Sequence, residues 1–87
     1  MKPDVVVDVG NSLIKWGRCV EAEVIDKIAL SFDDTITWEE ALQLWNLKFP
    51  STWAVSGVNP EKQDRFVDWL GKQGAIVRVL EDWRQRG

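Results

Sequence analysis

The apolar positions of the chain follow two different periods. Before residue 31, β-branched and aliphatic residues form three short runs, which are separated by brief polar or glycine-containing segments. Such runs are typical of strands, and short separations between them predict tight turns. We therefore expect three consecutive antiparallel strands, over roughly residues 4–9, 13–20 and 24–30, with a bulge at Gly17.

Beyond these strands, the apolar residues recur at the spacing of a helix. Five of them lie three or four residues apart and so share one helical face: Trp38, Ala41, Leu42, Trp45 and Phe49. Thr37 and Glu40 match a capping box, in which the threonine accepts a hydrogen bond from the third helical amide. The pattern predicts a helix that is capped by Thr37 and stopped by Pro50.

The rest of the chain alternates between strand and helix patterns. Apolar runs predict a buried strand over residues 53–58 and a last strand over residues 75–80. Between them, Asn59 and Pro60 are the residue types preferred at the N-cap and first position of a helix, and Gly74 is typical of a helix C-terminus. The second helix is therefore expected to begin at Pro60 and to end near Gly74.

The predicted element order is β-β-β-α-β-α-β in a single domain over residues 1–87. This order indicates an α/β fold, with a mixed five-stranded sheet and helices packed on it. The ribonuclease-H-like fold has this order, and so does the building block of the actin-like, sugar-kinase and Hsp70-type phosphotransferases. The order alone does not decide between a nuclease and a kinase.

The composition excludes several kinds of chemistry. The chain contains no histidine, which removes histidine general bases and metal ligands, and its one cysteine, Cys19, forms neither an internal disulfide nor a zinc cluster. The net charge of -3 disfavours a nucleic-acid partner. Because no apolar segment is long enough for a membrane span or typical of a signal peptide, we expect a cytoplasmic protein without a membrane partner.

The first predicted turn carries the strongest candidate chemistry. Asp8 interrupts a valine-rich strand, where a buried carboxylate needs a partner such as hydrated Mg²⁺. Gly10 would let a phosphate approach the backbone, and the amides of Asn11 and Ser12 would form a small anion-binding nest. Lys15 would supply a positive charge to a phosphate oxygen. The alternative is a plain hairpin in which Asp8 only accepts local hydrogen bonds.

A second candidate segment, residues 56–60, lies where the fourth strand runs into a helix. Such strand ends bind ligands in open sheets, but an N-cap role for Asn59 is the favoured interpretation, because the cap alone explains the Asn-Pro pair. Most of the six tryptophans have positions typical of a core, whereas Trp69 and Trp83 are expected to face a partner.

A ribonuclease-H-type nuclease needs several carboxylates around two metal ions. Asp8 fits the first of these positions, and Glu39 or Glu40 would have to supply the second. The fourth strand ends in Ser56-Gly57 without an acid, so the set is incomplete. A kinase would need fewer catalytic groups from this chain, because phosphoryl transfer depends mainly on positioning and on neutralising phosphate charge.

Residues 6–17, which read VVDVGNSLIKWG, closely resemble the opening segment of type III pantothenate kinases, D-x-G-N-[T/S]-x-x-K. Residues 56–60 resemble a second family segment, S-[S/G/V]-V-x-P. The resemblance implies a cytoplasmic, homodimeric kinase that uses ATP, Mg²⁺ and a monovalent cation (K⁺ or NH4⁺) to phosphorylate pantothenate in the first step of coenzyme A synthesis. It also implies that the ATP phosphates contact one continuous segment, with Asp8 near the metal: Asp8, Val9, Gly10, Asn11, Ser12, Leu13, Ile14 and Lys15.

The family resemblance also implies a missing half. Members of the family are about three times as long as this chain, in line with two domains. Their second half carries a G-x-D-R segment and another D-x-G-T loop, neither of which occurs here. The chain is therefore interpreted as an N-terminal lobe that lacks the catalytic base and most of the pantothenate pocket, so the C-terminal lobe is an expected partner. A non-catalytic regulatory or binding module of the same fold is the alternative.

Overall fold

The computed structural model describes residues 2–80, which form a five-stranded mixed sheet and two helices. The α/β class predicted from the sequence is confirmed. The elements are β1 (Val5–Val9), β2 (Leu13–Val20), β3 (Glu23–Ser31), α1 (Thr35–Leu44), β4 (Thr52–Gly57), α2 (Pro60–Gln73) and β5 (Ile76–Val79). The strands lie in the order β3-β2-β1-β4-β5. The β1–β2 and β2–β3 pairs are antiparallel, whereas β1–β4 and β4–β5 are parallel.

One face of the sheet carries the hydrophobic core, and the other face is left open. Because side chains alternate along a strand, Val5, Val7 and Val9 of β1 point into the core while Val6 and Asp8 point away from it. Both helices contribute buried residues to this same core. The sheet is therefore covered on one side within the described part of the chain.

Aromatic rings fill the centre of this core. The ring of Trp16 lies 5.0 Å from that of Trp53 and 6.1 Å from that of Trp45, measured between centroids. Trp69 stacks on Phe66 at 5.8 Å and packs, partly buried, against the core, so the core accounts for a tryptophan that the sequence left to a partner surface. Its place on α2, three residues after Phe66, explains why both rings share the buried face. Trp83 lies outside the described residues.

The boundaries of α1 differ from the prediction. The N-cap is Asp34, whose Oδ1 accepts a hydrogen bond from the amide of Ile36 at 3.1 Å. Thr37 lies inside the helix, and its hydroxyl donates to the carbonyl of Asp34 at 2.6 Å instead of capping. The helix ends before Phe49, because Asn46 adopts a left-handed conformation (φ 50°) that turns the chain away.

The predicted ends of α2 are confirmed. Oδ1 of Asn59 accepts a hydrogen bond from the amide of Lys62 at 3.2 Å, and Pro60 is the first helical residue. Gly74 has the left-handed conformation (φ 91°) that closes a helix. The predicted bulge at Gly17 is wrong, since the irregularity in β2 lies between Arg18 and Cys19.

Two buried tryptophans differ in how their indole N–H groups are satisfied. Nε1 of Trp53 donates to Oγ of Ser51 at 2.8 Å, whereas Nε1 of Trp16 is buried without a partner among residues 2–80. Replacing either by phenylalanine removes the same volume, but only Trp53→Phe leaves a buried hydroxyl without its donor. We expect Trp53→Phe to lower the free energy of unfolding by about 1–3 kcal/mol more than Trp16→Phe. Urea denaturation of both variants checks this, and equal losses would contradict it.

Candidate functional site

The turn between β1 and β2 is closed by its own backbone. The amide of Gly10 donates to the carbonyl of Leu13 at 2.9 Å, and the amide of Phe32 donates to the carbonyl of Ser12 at 3.2 Å. A Cβ on Gly10 would lie 3.0 Å from the Leu13 oxygen, so the tight turn favours glycine there. Among the hydrogen bonds of residues 2–80, none uses the amide of Asn11 or Ser12 as donor. Within the described residues, these two amides therefore have no protein acceptor.

Three polar side chains form a row beside this turn, on the open face of the sheet. Lys15 of β2 lies opposite Asp8 in the antiparallel register, and Ser56 of β4 lies opposite Asp8 in the parallel register. Lys15 and Asp8 are both exposed and form no ion pair within the described part of the chain. The row presents a carboxylate, an ammonium and a hydroxyl, which are the groups that bind a metal ion and phosphate oxygens.

The expectation that Asp8 is a buried acid is wrong. Its side chain is exposed because strand alternation places it on the face that neither helix covers. Burial therefore gives no reason for a metal at Asp8, and the case for one rests on its position next to the turn. The hydroxyl of Ser56 donates to the carbonyl of Val7 at 3.4 Å, which holds it within the row.

Six of the eight consecutive residues named from the family resemblance fall into two groups. Val9 and Ile14 are fully buried in the core, so only their backbone atoms face the turn. Asp8 and Lys15 meet on the open face, with the free amides of Asn11 and Ser12 at the end of the hairpin. The structure thus brings the predicted polar groups to one end of the β1–β2 hairpin.

The row borders an apolar groove on the open face, with a volume of about 330 Å³. Besides Asp8, Lys15 and Ser56, the groove is lined mainly by small or apolar residues: Val6, Gly17, Val24, Ala54 and Leu80. A Cβ on Gly17 would lie 3.0 Å from Val6 and 3.1 Å from Val24, so the glycine deepens the groove. Lys27 adds a second ammonium to the lining.

The carboxyl ends of β1 and β4 are in direct contact. The amide of Val58 donates to the carbonyl of Val9 at 3.3 Å. A Cβ on Gly57 would lie 2.7 Å from the same oxygen, so only glycine allows this approach. The contact brings the start of α2 next to the β1–β2 turn. The second candidate segment, residues 56–60, therefore packs against the turn as well as capping α2 through Asn59.

Lys62 reaches the turn from α2 and was not identified from the sequence. Its Nζ donates to the carbonyl of Asn11, which is 51 positions away in the chain. The sequence gives one local indication that Lys62 is unusual: it lies in the first turn of a helix, at the positive end of the helix dipole. A negative or carbonyl partner nearby offsets this unfavourable placement.

The arrangement of acids opposes a two-metal nuclease site. No group of three cysteine, aspartate or glutamate side chains that could hold a metal ion is present in residues 2–80. Glu39 and Glu40 lie on α1, which packs on the core face, while Asp8 points to the open face. A magnesium ion at Asp8 would therefore take its remaining ligands from water and phosphate oxygens.

Cys19 has the properties of an unreactive thiol. It is partly buried in β2, and burial raises its pKa. A backbone hydrogen bond at Val6 lowers the pKa and the charge of Asp4 raises it, with smaller effects than burial. A raised pKa keeps the thiol protonated at neutral pH, which disfavours nucleophilic chemistry there.

Neither helix of residues 2–80 is long and apolar enough to cross a membrane.

Comparison with known proteins adds no relative to this picture. No family model matches the chain. A search of curated proteins also finds no match. The geometry of the β1–β2 turn and the motif that it carries are therefore the evidence for a function.

Proposed function

We propose that this chain binds the phosphate groups of ATP at the β1–β2 turn and is the N-terminal lobe of a type III pantothenate kinase. One observation carries the proposal: the two free amides of Asn11 and Ser12 lie beside the exposed pair of Lys15 and Asp8. In a plain hairpin water would satisfy these exposed groups one by one, whereas a polyphosphate with its metal ion would use them together.

Each group has a defined part in phosphoryl transfer. The amides of Asn11 and Ser12 bind phosphate oxygens, and the Lys15 ammonium neutralises part of the phosphate charge. Asp8 would hold Mg²⁺, which would supply charge neutralisation at the phosphates. A monovalent cation, K⁺ or NH4⁺, is part of the proposal only through the family resemblance.

The fold supports the same assignment. The mixed five-stranded sheet, with strand order β3-β2-β1-β4-β5 and two helices, supports our proposal of a ribonuclease-H-like fold, the fold of the lobes of actin-like phosphotransferases. The turn that follows β1 is where those kinases bind phosphate. Asp8 lies on the open face of the sheet, whereas Glu39 and Glu40 lie on α1, on the core face. Because these acids cannot share metal ions, the kinase is favoured over a nuclease of that fold.

The residues that bind and activate pantothenate are assigned to a second lobe. The sequence of this chain contains no G-x-D-R segment and no second D-x-G-T loop. On this proposal a C-terminal lobe supplies the catalytic base and closes on the phosphates, and the complete enzyme is a cytoplasmic homodimer.

The test is ATP-dependent phosphorylation of pantothenate, measured for the 87-residue chain and for any longer product of the same reading frame. We expect turnover by the longer product and none by the chain alone. ATP binding by the longer product without turnover of pantothenate would indicate a regulatory module. Turnover by the chain alone would contradict the assignment of the catalytic base to a second lobe.

A further inference from the structure

Two cations of α2 converge on the helix side of the β1–β2 turn. Nζ of Lys62 donates to the carbonyl of Asn11. The same Nζ lies 5.3 Å from the ring centroid of Phe32, and the guanidinium carbon of Arg65 lies 5.2 Å from that centroid. The Phe32 ring is buried and fixed, so it holds both side chains near the turn.

Neither cation has a carboxylate partner in the described part of the chain. Among residues 2–80, the ion pair with an N···O distance below 4.0 Å is that of Lys72 and Asp68. These two residues lie one helical turn apart, near the other end of α2. Glu61 also belongs to the first turn of α2 but forms no such pair there. Among residues 2–80, no carboxylate therefore pairs with the Lys62 ammonium, whose charge adds to the positive end of the helix dipole.

The contact with Asn11 uses only part of the donor capacity of Lys62. An ammonium group has three N–H donors, and the carbonyl of Asn11 accepts one of them. The remaining donors lie at the β1–β2 turn, on the side to which the Asn11 carbonyl points. Lys15 supplies its charge from the open face, so Lys62 approaches the same turn from the opposite side.

We infer that Lys62 is a second phosphate-contacting residue, which binds an oxygen of the polyphosphate while it remains hydrogen-bonded to the Asn11 carbonyl. The inference rests on the proposed function, because it assigns a further ligand contact to the same turn. A tether alone would need only a neutral donor at this position. The unneutralised charge is what a polyphosphate anion would use.

The test is calorimetric titration of the 87-residue chain with inorganic tripolyphosphate and with MgATP. Lys62→Gln keeps a neutral donor for the Asn11 carbonyl and removes the charge. We expect it to weaken binding about tenfold, since a charge-assisted hydrogen bond is lost, and Lys62→Arg to restore most of the affinity. The matched control is Lys48→Gln, which removes the same charge beside Asp4, at the other end of β1, and is expected to change affinity less than about twofold.

The outcomes separate this inference from the proposed function. Binding by Lys62→Gln as tight as that of the unmodified chain would show that Lys62 only tethers the turn, and would leave the phosphate site intact. An equal loss in Lys48→Gln would show that net charge alone matters, and would also overturn the inference. Failure of the unmodified chain to bind either anion would contradict both proposals. Thermal unfolding of each variant verifies that it is folded.

Discussion

Asp8→Ala is expected to lower the rate of pantothenate phosphorylation about a hundredfold or more in a product that contains both lobes. The carboxylate lies beside the free amides of the turn and opposite Lys15, where it can hold the metal ion of MgATP. Loss of one group that positions charge at a transferring phosphoryl typically lowers kcat by this order. The measurement is a coupled assay of ADP release at saturating pantothenate.

The control for this variant is Glu39→Ala. Glu39 is also an exposed acid, but it lies on α1, on the core side of the sheet. We expect its removal to leave the rate unchanged. Asp8 is exposed, so Asp8→Ala is expected to change the free energy of unfolding by less than about 0.5 kcal/mol. Retention of full activity by Asp8→Ala would remove Asp8 from the site.

Gly57→Ala is expected to lower the free energy of unfolding by about 3 kcal/mol. The added Cβ would lie 2.7 Å from the carbonyl oxygen of Val9 and 2.9 Å from its Cβ, both closer than atoms normally approach. Because Val9 belongs to the central strand and is fully buried, it cannot move aside as a flexible side chain would. Chemical denaturation of the two proteins measures the loss.

Gly71→Ala provides a matched control of opposite sign. A Cβ at Gly71 meets nothing within 4 Å, and the residue lies within α2. Alanine is the better helix former, so this change is expected to stabilise the chain by about 0.5–1 kcal/mol. Equal stability of the Gly57→Ala variant and the unmodified chain would show that the ends of β1 and β4 are not packed as described.

Local residue patterns were sufficient to predict the strands and α2. Runs of β-branched residues gave β1 and β2 closely, and Asn59, Pro60 and Gly74 marked the ends of α2 through hydrogen bonds and conformations that depend on neighbouring residues only. The start of α1 was wrong for a physical reason. Ile36, in the first turn of α1, is exposed and does not belong to the apolar stripe. The stripe therefore begins only at Trp38, which favoured a cap at Thr37 over the true cap at Asp34.

The candidate site could be predicted only in part. The turn motif identified Asp8 and Lys15, and the antiparallel register brings them together. The valine run around Asp8 resembles a strand that is covered on both faces, and nothing in it indicates that one face is open in the described residues. Lys62 could not be found, because its contact with Asn11 depends on the packing of β1 against β4.

The most direct measurement is an NMR titration of the ¹⁵N-labelled chain with MgATP, following each backbone amide. If the β1–β2 turn binds phosphate, the largest shifts occur at the amides of Asn11 and Ser12, with smaller ones at Lys15 and Lys62. The amides around Asp4 and Lys48, at the opposite end of β1, stay unchanged. Saturating MgATP that leaves the Asn11 and Ser12 amides unshifted would contradict phosphate binding at this turn.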